Sequence, residues 1–334
     1  MIRRPILQFC STSKRCGNTV TQSRWFSSSI NHLQQQIHST EKTTSYKSPD
    51  PLQFPWLLST ASPRIKDYPY IKAPSDWGFL NVLPIKLQHA LCQWLGYRML
   101  QLNMGDTYFP DQFLLGASHG TRKALDSISQ FLTEPSDESM KHVNELISPR
   151  LQQALLGQAE GSFGIYDKIS ISLPQIYDAR VGDIWVTLGN VEALEKPRQY
   201  EVVRWMTLMV AMKRAVVDEA EEPFADFRKR VGAGLMEGAH VAVDVEIDAD
   251  VRYQVLRPKS ADEASSLLDH DVVLFDQGRR TLLVRFESPY FVPANAMVSG
   301  RDEYTGEPLN DWHWRISDID HLVEKQDLDA MMDD

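Results

Sequence analysis

Residues 241–255 alternate without a break. Val241, Val243, Val245, Ile247, Ala249, Val251, Tyr253 and Val255 take every odd position, and the even ones include Asp244, Glu246, Asp248, Asp250, Arg252 and Gln254. Successive side chains of a strand point to opposite faces, so this period of two predicts one long strand with a buried face and a solvated face. A helix would scatter the same apolar positions around its circumference. Asp248-Ala249-Asp250 bends such a strand rather than reversing it, since a hairpin turn would break the phase. The buried face needs a covering layer and the strand needs neighbours, so the expected class is α+β with a mainly antiparallel sheet.

Further strands read the same way. Ile169, Ile171 and Leu173 alternate with Ser170 and Ser172, and Ile184, Val186 and Leu188 alternate with Trp185 and Thr187 between Gly182 and Gly189. Residues 272–275 and 282–286, separated by Asp276-Gln277-Gly278-Arg279, predict a hairpin with glycine at its turn. A loop rich in Pro, Gly and Asn over 288–310 leads to a last strand in which Trp312, Trp314 and Ile316 share a face. Residues 198–236 read as a helical insertion. Val202, Val203, Trp205, Met206, Leu208, Met209, Val210 and Met212 make it apolar on most sides, a helix for the concave face of the sheet or a Met-rich partner surface.

The covering layer lies in residues 111–156. Phe113, Leu114, Ala117, Ala124, Leu125, Ile128, Phe131 and Leu132 recur at helical spacing. Glu134-Pro135-Ser136-Asp137 breaks that helix, a second stripe follows with Met140, Val143, Leu146 and Ile147, and Ser148-Pro149 opens a third helix.

Phe113, Gly116-Ala117, then Leu146-Ile147-Ser148-Pro149 with Leu151 and Leu155, and a late Trp-His-Trp-Arg-Ile-Ser-Asp-Ile segment together resemble the mitochondrial inner-membrane translocase subunit 44-like domain family. The resemblance covers residues 111–320 and is stronger to the ribosome-linked members, a large-subunit mitoribosomal protein and an inner-membrane ribosome receptor, than to the import-motor subunit. It implies a nuclear-transport-factor-2-like cone, with N-terminal helices packed on a curved sheet. It also implies a partner, either the mitochondrial large ribosomal subunit or the inner-membrane insertion and translocation machinery. The insertion and the long loop after Phe291 depart from the family pattern.

The N-terminus agrees with a mitochondrial address. Residues 1–40 carry Arg3, Arg4, Lys14, Arg15 and Arg24 and no Asp or Glu, the composition of a presequence drawn inward by the membrane potential. Arg24-Trp25-Phe26-Ser27 resembles a processing site, so residues 1–26 are expected to be removed. Residues 27–76 are punctuated by prolines and read as an extended linker. The whole chain has a net charge of -10, and losing five cations makes it more acidic still. Such a chain is a poor general binder of DNA or RNA, because phosphate contact needs Lys and Arg. Only Cys92 remains after processing, which leaves no disulfide or cysteine-based zinc site.

Residues 77–110 are an amphipathic helical segment. Leu87, Leu91, Trp94 and Leu95 fall on one side with Lys86 and Arg98, and no acid occurs between Trp77 and Gly105. Such a helix either lies in an anionic membrane interface or caps the domain core. Arg228, Lys229 and Arg230 form the one basic cluster suited to RNA or a partner, although such clusters are usually solvated faces. From residue 318 on there are seven acids and one lysine, so residues 318–334 read as a solvated, partly helical end, with 321–334 as an acidic tail beyond the domain.

No phosphate-binding glycine loop, metalloprotease helix or nucleophile elbow is present in the sequence. No catalytic residue, metal ligand or cofactor is expected. The expected role is a non-catalytic matrix protein, peripheral to the inner membrane, that tethers the mitoribosome or acts in protein insertion or import. A respiratory-complex assembly factor fits nearly as well. An isomerase- or dehydratase-like enzyme using the cone cavity is the remaining alternative.

Overall fold

The long alternating segment is the middle of the fold. In chain order the elements of the computed structural model are α1 (Ile85–Met104), α2 (Asp111–Thr133), α3 (Asp137–Leu146), α4 (Pro149–Ala159), β1 (Lys168–Leu188), β2 (Tyr200–Trp205), β3 (Leu208–Lys213), α5 (Phe224–Glu237), β4 (Ala239–Pro258), β5 (His270–Glu287), the short ribbon β6 (Gly300–Arg301) and β7 (Pro308–Leu309), β8 (Arg315–Ile319) and α6 (Leu322–Asp333). The structure describes residues 64–65, 67–70, 82–159, 167–215, 222–258 and 270–333, so the expected presequence, 1–26, and most of the expected linker, 27–76, lie outside the described residues. All those described belong to one unit, Tyr46–Asp334.

Six strands form one curled mixed sheet in the order β2-β3-β1-β4-β5-β8. Every neighbouring pair is antiparallel except β1 with β3. Every odd residue from Val241 to Val255 is completely buried. The layer over them is α2, whose buried residues include Phe113, Ala117, Ala124, Leu125, Ile128 and Phe131 of the predicted stripe, with Leu114 and Leu132 partly buried beside them. Each of the larger ones, Phe113, Leu125, Ile128 and Phe131, contributes about 1.5–3 kcal/mol on leaving water.

The helix breaks fall where the residues demand. Ser136 caps α3 by accepting from the Ser139 amide at 3.1 Å. Ser148 does the same for α4, accepting from the Leu151 amide at 3.2 Å. Its own amide donates to the Ile316 carbonyl at 2.8 Å, and Ile147 bridges to Ile316, so this corner is tied to β8. The exposed edge of β1 is closed by α2. Ser129 Oγ accepts from the Ile171 amide at 2.8 Å and donates to its carbonyl at 3.1 Å, and Thr133 treats Ile169 likewise. Two hydroxyls one helical turn apart thus replace a neighbouring strand.

Several expectations are corrected. The helical insertion over 198–236 is a β-hairpin followed by a helix confined to Phe224–Glu237. β2 and β3 meet at a tight turn with Met206 at φ 52°, and they bury Val203 on β2 and Val210 and Met212 on β3. A strand buried on both faces is as apolar all round as a buried helix, and periodicity cannot separate the two. The hairpin placed at Asp276–Arg279 does not form. β5 runs straight through it, with Gly278 paired to Val251, because β4 offers partners along its whole length. The two strands read at 169–173 and 184–188 are one strand, β1, with register shifts; one of them spans Pro174, which has no amide to offer the ladder. Trp312 and Trp314 lie just before β8. Trp314 packs on Phe113 at 5.0 Å and on Trp312 at 5.3 Å.

Candidate functional site

α1 divides its residues between two faces. Gln88, Cys92, Gly96, Leu100 and Met104 are buried, at the four-residue steps of one helical face. Gly96 sets how close the helix comes: a Cβ there would lie 2.8 Å from Ile184 Cγ2. Gln88 accepts from Trp205 Nε1 at 3.1 Å, and Gln93 Oε1 accepts from the Ile184 amide at 2.7 Å. The Cys92 thiol donates to the Trp205 carbonyl at 3.3 Å, and burial pushes it up to about 11, so it is an inert packing group.

The other face is Leu87, Leu91, Trp94 and Leu95, with Trp94 62% exposed and Leu87 46%. Lys86 and Arg98 are exposed beside them, and Arg98 bonds Gln101 rather than an acid. The six residues named from the sequence therefore share one outward surface. Docking uses Gln88, Cys92 and Gly96 in the first half of the helix and Leu100 and Met104 in the second, and leaves the apolar stripe of Leu87, Leu91, Trp94 and Leu95 outside. Among the described residues, no helix is long and apolar enough to cross a membrane.

The basic cluster on α5 is split. Arg230 is half-buried and committed: its guanidinium bonds Glu222 at 2.8 and 3.0 Å, Glu201 at 3.2 Å and the Lys213 carbonyl at 2.9 Å. Arg228 and Lys229 are exposed. Arg230 thus braces α5 against the β2–β3 hairpin and is not offered to a partner.

A second constellation was missed in the sequence. On the sheet face turned away from α2, Asp244 of β4 holds Arg285 of β5 through both carboxylate oxygens, at 2.7 and 3.0 Å. Trp185 Nε1 also donates to Asp244, at 2.8 Å, and its ring lies 4.8 Å under the guanidinium. Arg285 reaches Glu324 of α6 at 3.2 Å. Burial works against its charge, and the Asp244 carboxylate more than restores it.

The supposedly solvated acids of the tail join this centre. Asp318 accepts from the amides of Val323 and Glu324 at 3.0 and 3.1 Å, capping α6. Burial lifts its carboxyl to about 6. Asp320 is raised by burial too, and binds the Leu283 amide at 3.0 Å. His321 is brought down to about 4 by burial, so it is neutral near pH 7.

The expected linker also contributes. Arg64 pairs with Asp320 at 2.6 Å and reaches the Thr281 carbonyl. The Ile65 amide donates to His321 Nδ1 at 3.2 Å. The Tyr68 ring sits 4.5 Å from His321 and 5.3 Å from Trp185. Tyr70 meets His89 of α1, whose Nε2 lies 2.7 Å from Asp183. The only sequence signal for this centre is the spacing of Asp318, Asp320, His321 and Glu324; its other members lie roughly 30 to 260 positions away, and no local pattern joins them.

Among the described residues, no group of three or more His, Cys, Asp or Glu is arranged to hold a metal ion. Comparison with protein-family models and with curated protein sequences gives no match to this chain.

Proposed function

We propose that this chain is a non-catalytic protein of the mitochondrial matrix, peripheral to the inner membrane, with a translocase subunit 44-like cone domain. Its place is between an anionic membrane and a partner, the mitochondrial large ribosomal subunit or the insertion machinery. The observation that carries the reading is the division of α1. A helix that only caps a core has no need of a second apolar stripe facing outward. Here Leu87, Leu91, Trp94 and Leu95 point outward, flanked by Lys86 and Arg98, while Gln88, Cys92, Gly96, Leu100 and Met104 dock the helix. Leucine and tryptophan beside cations, on a helix firmly held by its other face, is the composition of an interfacial anchor.

The buried helix-facing side of β4 supports the non-catalytic part. The eight residues that would line a cone cavity, Val241 to Val255 at odd positions, pack as core, and the acids of that strand face the other way.

Flotation of the purified protein with vesicles containing cardiolipin tests the reading. Wild type is expected to float with anionic vesicles and less at high salt. A Leu91→Asp/Trp94→Asp variant is expected to stay at the bottom. Equal flotation of the two proteins would remove α1 as the anchor.

A further inference from the structure

Residues 64–65 and 67–70 lie on the face of the sheet opposite α2. They are held by side chains: Arg64 in Asp320, the Ile65 amide on His321, and Tyr68 laid over Trp185, His321 and Arg285. We propose that this face is an exchangeable site for a peptide segment bearing an arginine and, four residues later, a tyrosine at a turn, and that the segment carrying Arg64 and Tyr68 is its resident ligand.

Three features point to a site rather than to packing alone. The floor is acidic: Asp244, Asp318, Asp320 and Glu324 are all buried there. Within it Arg285 serves Asp244 and Glu324, and Arg64 supplies the cation at Asp320. A basic segment is what such a floor attracts, and bidentate or forked arginine contacts suit carboxylates best. The face is also larger than its occupant. Tyr68 separates two cavities of about 200 and 250 Å³, the first reaching Met209 and His240 and the second Gly182 and Glu246. Finally, His321 is more than nine-tenths buried and lines the second cavity, yet its Nε2 has no hydrogen-bond partner among the described residues. Its Nδ1 accepts from Ile65, so the proton of the neutral ring is on Nε2. That N–H requires an acceptor, which the carbonyl of a longer or differently seated peptide would provide.

The strap is therefore an intramolecular competitor. Its engagement also reaches α1, through Tyr70, His89 and Asp183. Displacement by a segment in trans would release that side of α1.

The test uses the full chain and a labelled synthetic peptide of residues 62–72, read by fluorescence anisotropy. An Arg64→Ala/Tyr68→Ala variant is expected to bind this peptide at least about tenfold more tightly than wild type, whose site is occupied in cis. Adding Asp320→Asn to the variant is expected to undo the gain. Peptide with alanine at the positions of Arg64 and Tyr68 is expected not to bind. A folded double variant with no saturable binding overturns the proposal. If the variant does not fold, hydrogen exchange of wild type decides. Amides of 65–70 that exchange about a hundredfold faster than those of β4 support a strap that opens locally. Exchange of both only through global unfolding refutes it.

Discussion

Asp244 and Arg285 stand directly opposite one another on β4 and β5, and the paired strands carry the guanidinium into a bidentate grip at 2.7 and 3.0 Å. Register alone brings the two charges together; their side chains then close over one another beneath Tyr68 and beside Trp185. Removing one partner leaves the other charge buried without compensation. Arg285→Met is expected to cost about 3–5 kcal/mol in urea unfolding. An Asp244→Asn/Arg285→Met double variant is expected to lose less than the two single variants summed, because it leaves no unpaired charge.

Ser129 and Thr133 give a separate test of how the sheet edge is closed. Each hydroxyl accepts from the amide of one β1 residue and donates to its carbonyl, the Ser129 proton being shared with the Leu125 carbonyl at 2.7 Å. Ser129→Ala removes the partner of a buried amide and is expected to cost about 1–3 kcal/mol. The Ile171 amide should then lose hydrogen-exchange protection relative to Val245 in β4. Unchanged stability in Ser129→Ala would mean that water closes this edge equally well.

The two faces of α1 are expected to respond oppositely to substitution. Gly96→Leu places a side chain where Ile184 already sits, with overpacking of about 1–3 kcal/mol, and lowers the melting temperature. Trp94→Ser, on the outward face, is expected to change stability by less than about 0.5 kcal/mol. Thermal melts of the two variants check this, and a large loss in Trp94→Ser would show that Trp94 belongs to the core.

Asp318 and His321 set opposing slopes of stability with pH. Burial lifts Asp318 to about 6, so between its ordinary value of 3.8 and about 6 the folded chain keeps a proton that the unfolded chain has released. Its contribution is greatest at low pH and falls as pH rises through about 6. Burial takes His321 from 6.5 down to about 4, so across that interval the unfolded chain binds the proton and stability rises with pH. Asp318→Asn is expected to steepen the rise in stability from pH 4 to 6.5, and His321→Gln to flatten or reverse it. Urea midpoints at half-unit pH steps measure both.

What was legible in the sequence follows from where each contact lies along the chain. β4 could be read because its two sides differ in six successive residue pairs, from Val243 and Asp244 to Tyr253 and Gln254, with acids crowding the outer side. The breaks at Ser136 and Ser148 could be read because a cap is a contact over three residues. β2 and β3 could not, since Val203, Val210, Ala211 and Met212 are buried on both sides of the hairpin and carry no phase. The Arg64–Asp320 pair spans 256 positions, so neither the linker composition nor the acidic tail announces it. For α1 the apolar stripe was plain, but which stripe docks was not: Gly96 decides it by permitting close approach, and the sequence marks that only as a poor helix former.

Fractionation of mitochondria carrying tagged wild type or Leu91→Asp/Trp94→Asp tests the central claim most directly, with carbonate extraction and a salt-dependent sucrose gradient run on the same sample. The account predicts wild type on the membrane, released by carbonate, and co-sedimenting with the large ribosomal subunit, while the variant loses the membrane without losing its fold. Wild type that stays soluble at the top of the gradient would contradict both the membrane and the ribosome assignments.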